Sequence, residues 1–198
     1  NLLNLRYYRL ILNMNNTFTN NILFLLFLIL LGVASRMIPH PDNFTAIGAV
    51  ALFAGAYSRK RNFHFLVPML AIFISNILLI VLQNKPLPSL PIQIAIYSCF
   101  LLYTPIGSFL IKSIKVKTVV LGSLCGATLF FIVTNFVVWL GGGYSYTLGG
   151  LLTCYTAAIP FYLKMLAGDL TWCVILFGLY ELAVYVSAKP SISSDNRI

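Results

Sequence analysis

The sequence predicts an all-α polytopic membrane protein with six transmembrane helices, an additional interfacial or re-entrant helix, and both termini in the cytoplasm. Three observations predict it. The chain is 60% apolar and only 9% charged, with a mean hydropathy of +0.92, where a soluble domain carries about 25% charged residues. Only four of its 198 residues are acidic, while its thirteen Lys and Arg fall in short patches between long apolar runs. Those runs have the length of membrane spans, about 17–25 residues.

Residues 1–21 read as a lead-in. Met14 precedes Asn15, Asn16 and Thr17, so the stretch before it reads either as upstream translation or as an interfacial segment. Residues 22–188 form a single transmembrane helical domain, and 189–198 a polar cytoplasmic tail. The first span covers about Ile22 to Ile38. Its end, Gly32-Val33-Ala34-Ser35, is small like a signal-peptide cleavage region but lacks an A-x-A, so an uncleaved span is expected. The second runs from about Phe44 to Tyr57; 14 residues reach only about 21 Å as a helix, which leaves its crossing open. The third covers Phe63 to Leu82, the fourth Pro91 to Ile111, the fifth Thr118 to Leu140 and the sixth Asp169 to Ser187. Between the last two, Gly149–Leu166 is apolar but carries Pro160 and Lys164 and is flanked by glycines, which predicts the interfacial or re-entrant helix.

Cytoplasmic loops collect Lys and Arg. With the N-terminus inside, Arg6, Arg9, Arg59, Lys60, Arg61, Lys112, Lys115, Lys117, Lys189 and Arg197 lie inside and Arg36, Lys85 and Lys164 outside, ten against three. A full crossing by Gly149–Leu166 weakens this to eight against five, which favours six spans. The net charge of +9 is spread among loops, so the expected partner is the lipid bilayer and not nucleic acid.

Polar residues at membrane depth are costly and suggest function, and most of them map to the outside leaflet. The first outside loop packs Arg36, His40, Asp42 and Asn43 between two spans and is stiffened by Pro39 and Pro41. Asn135 and Trp139 stand one turn apart at the end of the fifth span. Tyr144, Tyr146, Thr153, Tyr155 and Tyr162 follow, and Asp169 opens the sixth span. Together these predict a pocket with a few orienting polar groups among aromatic walls. Each has a plainer reading: tyrosines and Trp139 as interface anchors, Arg36 snorkelling or pairing with Asp42, Asn135 in an interhelical bond, and Asp169 capping its helix.

Small residues let helix backbones approach in lipid. Gly48, Ala51 and Gly55, continued by Ser58, line one face of the second span, and Gly122 and Gly126 form a G-x-x-x-G on the fifth. They read either as docking surfaces for a separate membrane subunit or as packing within the bundle. Cys99, Cys125, Cys154 and Cys173 stand singly in apolar segments and read as packing residues. His40 and His64 fall on opposite membrane faces, so no metal site is expected, and the sequence holds neither a nucleophile–base set nor a phosphate loop. An enzyme is not expected, nor a cofactor.

Several separated strings carry a resemblance: Arg36 to Thr45 (RMIPHPDNFT), Ala49 to Tyr57, Thr134-Asn135-Phe136 with Trp139, Cys154 to Phe161 (CYTAAIPF) and Gly168-Asp169-Leu170. They resemble an uncharacterised family of small bacterial integral membrane proteins over about Leu30 to Leu182. In layout that family is similar to the substrate-binding S components of energy-coupling factor transporters. The resemblance implies residence in the bacterial cytoplasmic (inner) membrane, capture of a vitamin-like nutrient or metal ion near the outer face, and docking on a transmembrane coupling subunit with two ATPases. S components carry an A-x-x-x-A on the first span, where this chain offers only Gly32 and Ala34.

The function expected is therefore a subunit that binds and translocates a small nutrient. Arg36 and His40 would engage an anionic or acceptor group, with Asp42, Asn43 and Asp169 nearby; Asn135 would orient the ligand, and Trp139 with Tyr155 would stack on it. The alternatives are a structural or assembly subunit of a membrane complex, and a proton-coupled carrier using Glu181.

Overall fold

The computed structural model describes residues 22–57 and 65–188. The lead-in with Arg6 and Arg9, the stretch holding Ser58, Arg59, Lys60, Arg61 and His64, and the tail with Lys189 and Arg197 lie outside the described residues. Among the described residues six helices follow one another: α1 (Ile22–Met37), α2 (Ile47–Tyr57), α3 (Leu66–Gln83), α4 (Leu90–Leu110), α5 (Val116–Val138) and α6 (Leu148–Ala188). A π turn, Trp139–Gly143, ends α5; its Gly142 takes φ +82°, a conformation open to glycine at no steric cost. No strand occurs among the described residues.

Four of the helices, α3, α4, α5 with its π turn, and α6, are long and apolar enough to cross a membrane. Large apolar side chains such as Leu82, Phe109 and Val174 stand exposed on their outer faces, as lipid contact requires. The protein is an all-helical integral membrane protein.

Two elements depart from the sequence-based expectation. The expected interfacial helix and sixth span are one uninterrupted helix of 41 residues, roughly 60 Å long and twice the hydrocarbon core of about 30 Å. Pro160, read from the sequence as a break, sits inside α6 on an exposed face. Membrane helices tolerate such residues because neighbouring groups and local adjustments satisfy the freed backbone. Lys164 interrupts nothing either, since it reaches out to Asp42 at 3.5 Å and lies over the Phe161 ring. The second departure is α2, whose eleven residues rise only about 16 Å and form the centre of the bundle.

Every residue of α2 from Ile47 to Ala56 is buried. Small side chains make this feasible. Gly55 lies directly on the Thr104 carbonyl of α4, and Gly107 of α4 lies directly on the Leu52 carbonyl, so the two backbones touch through one glycine from each side. At the far end Phe53 stacks among Phe24, Tyr57, Phe177 and Tyr180, with ring centroids 4.5–5.9 Å apart.

The glycine stripes are spent in this packing. Gly48 faces Asp169, Gly55 faces α4, Gly122 faces Ile111 and Gly126 faces the Tyr103 ring, while Ala51 is fully buried. The expectation that Gly48, Ala51, Gly55, Gly122 and Gly126 form a surface for a separate subunit is corrected accordingly. Spacing alone shows a smooth face, and the fold decides what covers it.

The α1–α2 connection is tied at both ends. Buried Ser35 donates to the Gly32 carbonyl at 2.8 Å and accepts from the Ala46 N–H at 2.9 Å. Gln83 of α3 donates to the Met37 carbonyl at 3.1 Å, capping α1. Asn43 turns the loop at φ 62°. Asn84, at φ 50°, ends α3 with its own N–H on the Ile80 carbonyl and the Lys85 N–H on the Leu79 carbonyl, which aims Lys85 back toward this loop end.

Replacing Gly55 by Val forces α2 from α4 against backbone atoms that cannot yield, and thermal melting in detergent is expected to show a loss at the upper end of about 1–3 kcal/mol. Gly178→Ala, which adds a methyl where nothing lies within 4 Å, is expected to leave the melting point unchanged or higher.

Candidate functional site

At the end of the bundle that carries the α1–α2 and α3–α4 connections, the helices enclose a cavity of about 190 Å³. Arg36 enters it from the last turn of α1, His40, Asn43 and Thr45 from the loop, and Gly48 from the first turn of α2. Ile72 and Asn76 come from α3, with Lys85 just beyond it; Gln93, Tyr97 and Phe100 come from α4, Phe130 from α5, and Met165 with Asp169 from α6. Every described helix contributes.

Among the described residues, the acceptors that hold Arg36 are all neutral. Its Nη1 donates to Ser75 Oγ at 2.6 Å, to Asn76 Oδ1 at 2.8 Å and to the Ile72 carbonyl at 3.4 Å. Ser75 spends its own proton on the carbonyls of Ala71 and Ile72, which turns its lone pair toward the guanidinium. Because Asn76 accepts with Oδ1, its amide nitrogen faces the other way and donates to the Tyr97 hydroxyl at 3.3 Å. This relay fixes the guanidinium without neutralising it. Asp42, the carboxylate that the sequence offered as its partner, pairs with Lys164 instead; the Asp42 side chain is 70% exposed, a pairing worth little.

Asp169 lies at 2% exposure. Its Oδ2 accepts from the Tyr103 hydroxyl at 3.0 Å. The carboxylate fits because Gly48 lacks a side chain that would collide with it, and the Tyr103 ring fits because Gly126 makes room. The reading of Asp169 as the cap of a sixth span is corrected, since α6 runs through it without an end. Among the described residues no ion pair joins Asp169 to a base, and no group of three His, Cys, Asp or Glu side chains converges as a metal site would need.

Of the residues singled out from sequence, Arg36, His40, Asn43 and Asp169 line this cavity. Asp42, Asn135, Trp139 and Tyr155 do not, which corrects their expected placement around one ligand. Asn135 donates to the Phe131 carbonyl of its own helix at 2.7 Å and lines a smaller neighbouring cavity of about 120 Å³. Trp139 donates to the Ser145 carbonyl at 3.0 Å and packs on Phe136 and Tyr146, anchoring the α5–α6 connection. Tyr155 donates to the Ile132 carbonyl at 2.7 Å with its ring edge-on to Phe131. The two cavities share Asn43, Phe130 and Met165 in their walls. Glu181, the acid considered for a carrier, accepts from Tyr57 at 3.1 Å and lines neither cavity.

Sequence reasoning missed Ser75, Asn76, Gln93, Tyr97 and Tyr103. One signal was available: Ser75-Asn76 interrupts an otherwise apolar span, and a polar pair at that depth needs a partner. Gln93 and Tyr97, four apart, share a helix face.

The profile of a family of unknown function, DUF6580, matches residues 16–191. The chain belongs to DUF6580. Its match covers every described helix but leaves the activity open, so the chemistry of this DUF6580 protein must be read from the site itself. No curated protein and no solved structure matches the chain.

Tyr103→Phe removes the hydroxyl that satisfies Asp169 and is expected to lower the stability of the DUF6580 chain by about 1–3 kcal/mol in thermal melts. An unchanged melting point would mean that the carboxylate has another donor.

Proposed function

We propose that this protein is a non-enzymatic solute-binding subunit of the bacterial cytoplasmic membrane, which captures a small nutrient in the Arg36–Asp169 cavity and releases it inward. The observation that carries the proposal is Arg36, a guanidinium at the wall of a cavity, oriented by Ser75 and Asn76 and matched by no carboxylate among the described residues. A charge held at membrane depth is costly, and three neutral acceptors orient it without offsetting its charge. A ligand with an acceptor or anionic group offsets it. The cavity is smaller than the roughly 300–1,000 Å³ of drug-sized sites, which suits a compact solute, and Tyr97, Phe100 and Phe130 provide apolar walls.

Arg36 in the last turn of α1, Lys85 just past α3 and Lys164, within α6 and paired with Asp42, stand at the pole of the cavity, while Lys112 and Lys115 lie in the α4–α5 connection and Lys117 in the first turn of α5 at the other. The ten-against-three division of Lys and Arg over the whole sequence supports an outward-facing cavity with both termini in the cytoplasm. Energy for release would come from a transmembrane coupling subunit and its ATPases, a reading that rests on a six-helix layout like that of S components.

Native mass spectrometry of the detergent-purified protein tests this. A near-stoichiometric small molecule is expected on the wild type. It is expected to weaken by about 1.5–3 kcal/mol in Arg36→Gln, the value of hydrogen bonds to a charged group, and to persist in Trp139→Phe. A bare protein that travels with one fixed membrane partner would instead identify a structural or assembly subunit.

A further inference from the structure

Two groups of opposite type, the Arg36 guanidinium and the Asp169 carboxyl, line the cavity and do not meet. Arg36 is drawn to α3 by Ser75 and Asn76, and Asp169 is drawn to α4 by Tyr103; no ion pair joins them, although both line one space. Two unlike charges in a low-dielectric site attract strongly, so a bundle that merely needed to neutralise them would bring them together. Here each is held in place by neutral groups on a different helix. The apolar surfaces of Ile72, Phe100, Phe130 and Met165 belong to the same cavity.

Resting on the solute-binding reading above, the geometry points to a zwitterion as the ligand: a compact molecule with a carboxylate or similar anion for Arg36, an ammonium for Asp169, and an aliphatic body for the apolar walls. Such a molecule replaces two separate burial penalties with two charge-assisted hydrogen bonds. A simple acid satisfies Arg36 and leaves Asp169 buried without a counter-charge, and a simple amine does the reverse. Discrimination is therefore built into the site, because a buried charge left unpaired costs more than a lost contact. Lys85 also lines the cavity but is exposed, so it adds attraction for the anion without setting its position.

The test uses the full chain in lipid nanodiscs and measures binding calorimetrically. The probes are the twenty proteinogenic amino acids, the ω-amino acids from β-alanine to 6-aminohexanoate, and glycine betaine, each beside the alkylamine and the carboxylate of matched carbon number. At least one zwitterion is expected to bind ten-fold or more tightly than both of its single-charge counterparts. Asp169→Asn keeps the shape and removes the charge, so it is expected to abolish the preference of zwitterion over acid; Arg36→Gln is expected to abolish the preference of zwitterion over amine. Lys85→Gln is expected to change affinity less than three-fold.

An acid or amine that binds as tightly as its zwitterion, or a zwitterion preference untouched by Asp169→Asn, overturns the inference. If no probe binds while native mass spectrometry still finds a bound small molecule, the zwitterion assignment fails and the solute-binding reading stands. If neither method finds a ligand, both fail.

Discussion

The structure depends on the contact of two backbones at its centre. Without water to drive apolar surfaces together, helices in a bilayer associate through van der Waals packing and hydrogen bonding, and α2 achieves the closest packing available by meeting α4 through Gly55 and Gly107. A helix of eleven residues is too short to be held by lipid on both faces. Enclosure by the other helices replaces that support. The same enclosure sets Gly48, in the first turn of α2, against Asp169, so the core contact and the cavity are parts of one arrangement.

The proposed solute site keeps its guanidinium and its carboxyl group apart. A buried ion pair is nearly self-sufficient and presents little to a visitor. Separation keeps both members receptive. Ser75 and Asn76 orient a guanidinium, and Tyr103 orients a carboxyl group, while the Ser35–Ala46 hydrogen bond fastens the loop that carries Pro39 and Pro41. Preorganisation of this kind shifts the ordering cost from binding to folding.

The apolar runs were legible in the sequence because span length and composition are local properties. The expected third, fourth and fifth spans, Phe63 to Leu82, Pro91 to Ile111 and Thr118 to Leu140, match α3, α4 and α5 to within a few residues. The continuity of α6 was not legible, since Pro160 and Gly168 are punctuation in water and tolerable in a helix that neighbours support. The partners of the polar residues were the least legible. Arg36 meets Asn76 forty positions away and Asp169 meets Tyr103 sixty-six away, and such register is set by helix packing that no local pattern encodes. Asn135 illustrates the opposite error. Its amide satisfies itself on a carbonyl one turn back, a local alternative open to such side chains.

The unbroken course of α6 has a mechanical meaning. Asp169 and Glu181 stand on it twelve residues apart, about 18 Å along the axis, with no proline between them. One touches Tyr103 beside the cavity and the other touches Tyr57 at the opposite end of α2. Turned as one body, a hydrogen-bonded helix carries both side chains with it. Any turn of α6 that re-aims the Asp169 carboxylate therefore loads the Tyr57–Glu181 contact as well, making this helix a torsion shaft between the two poles of the protein.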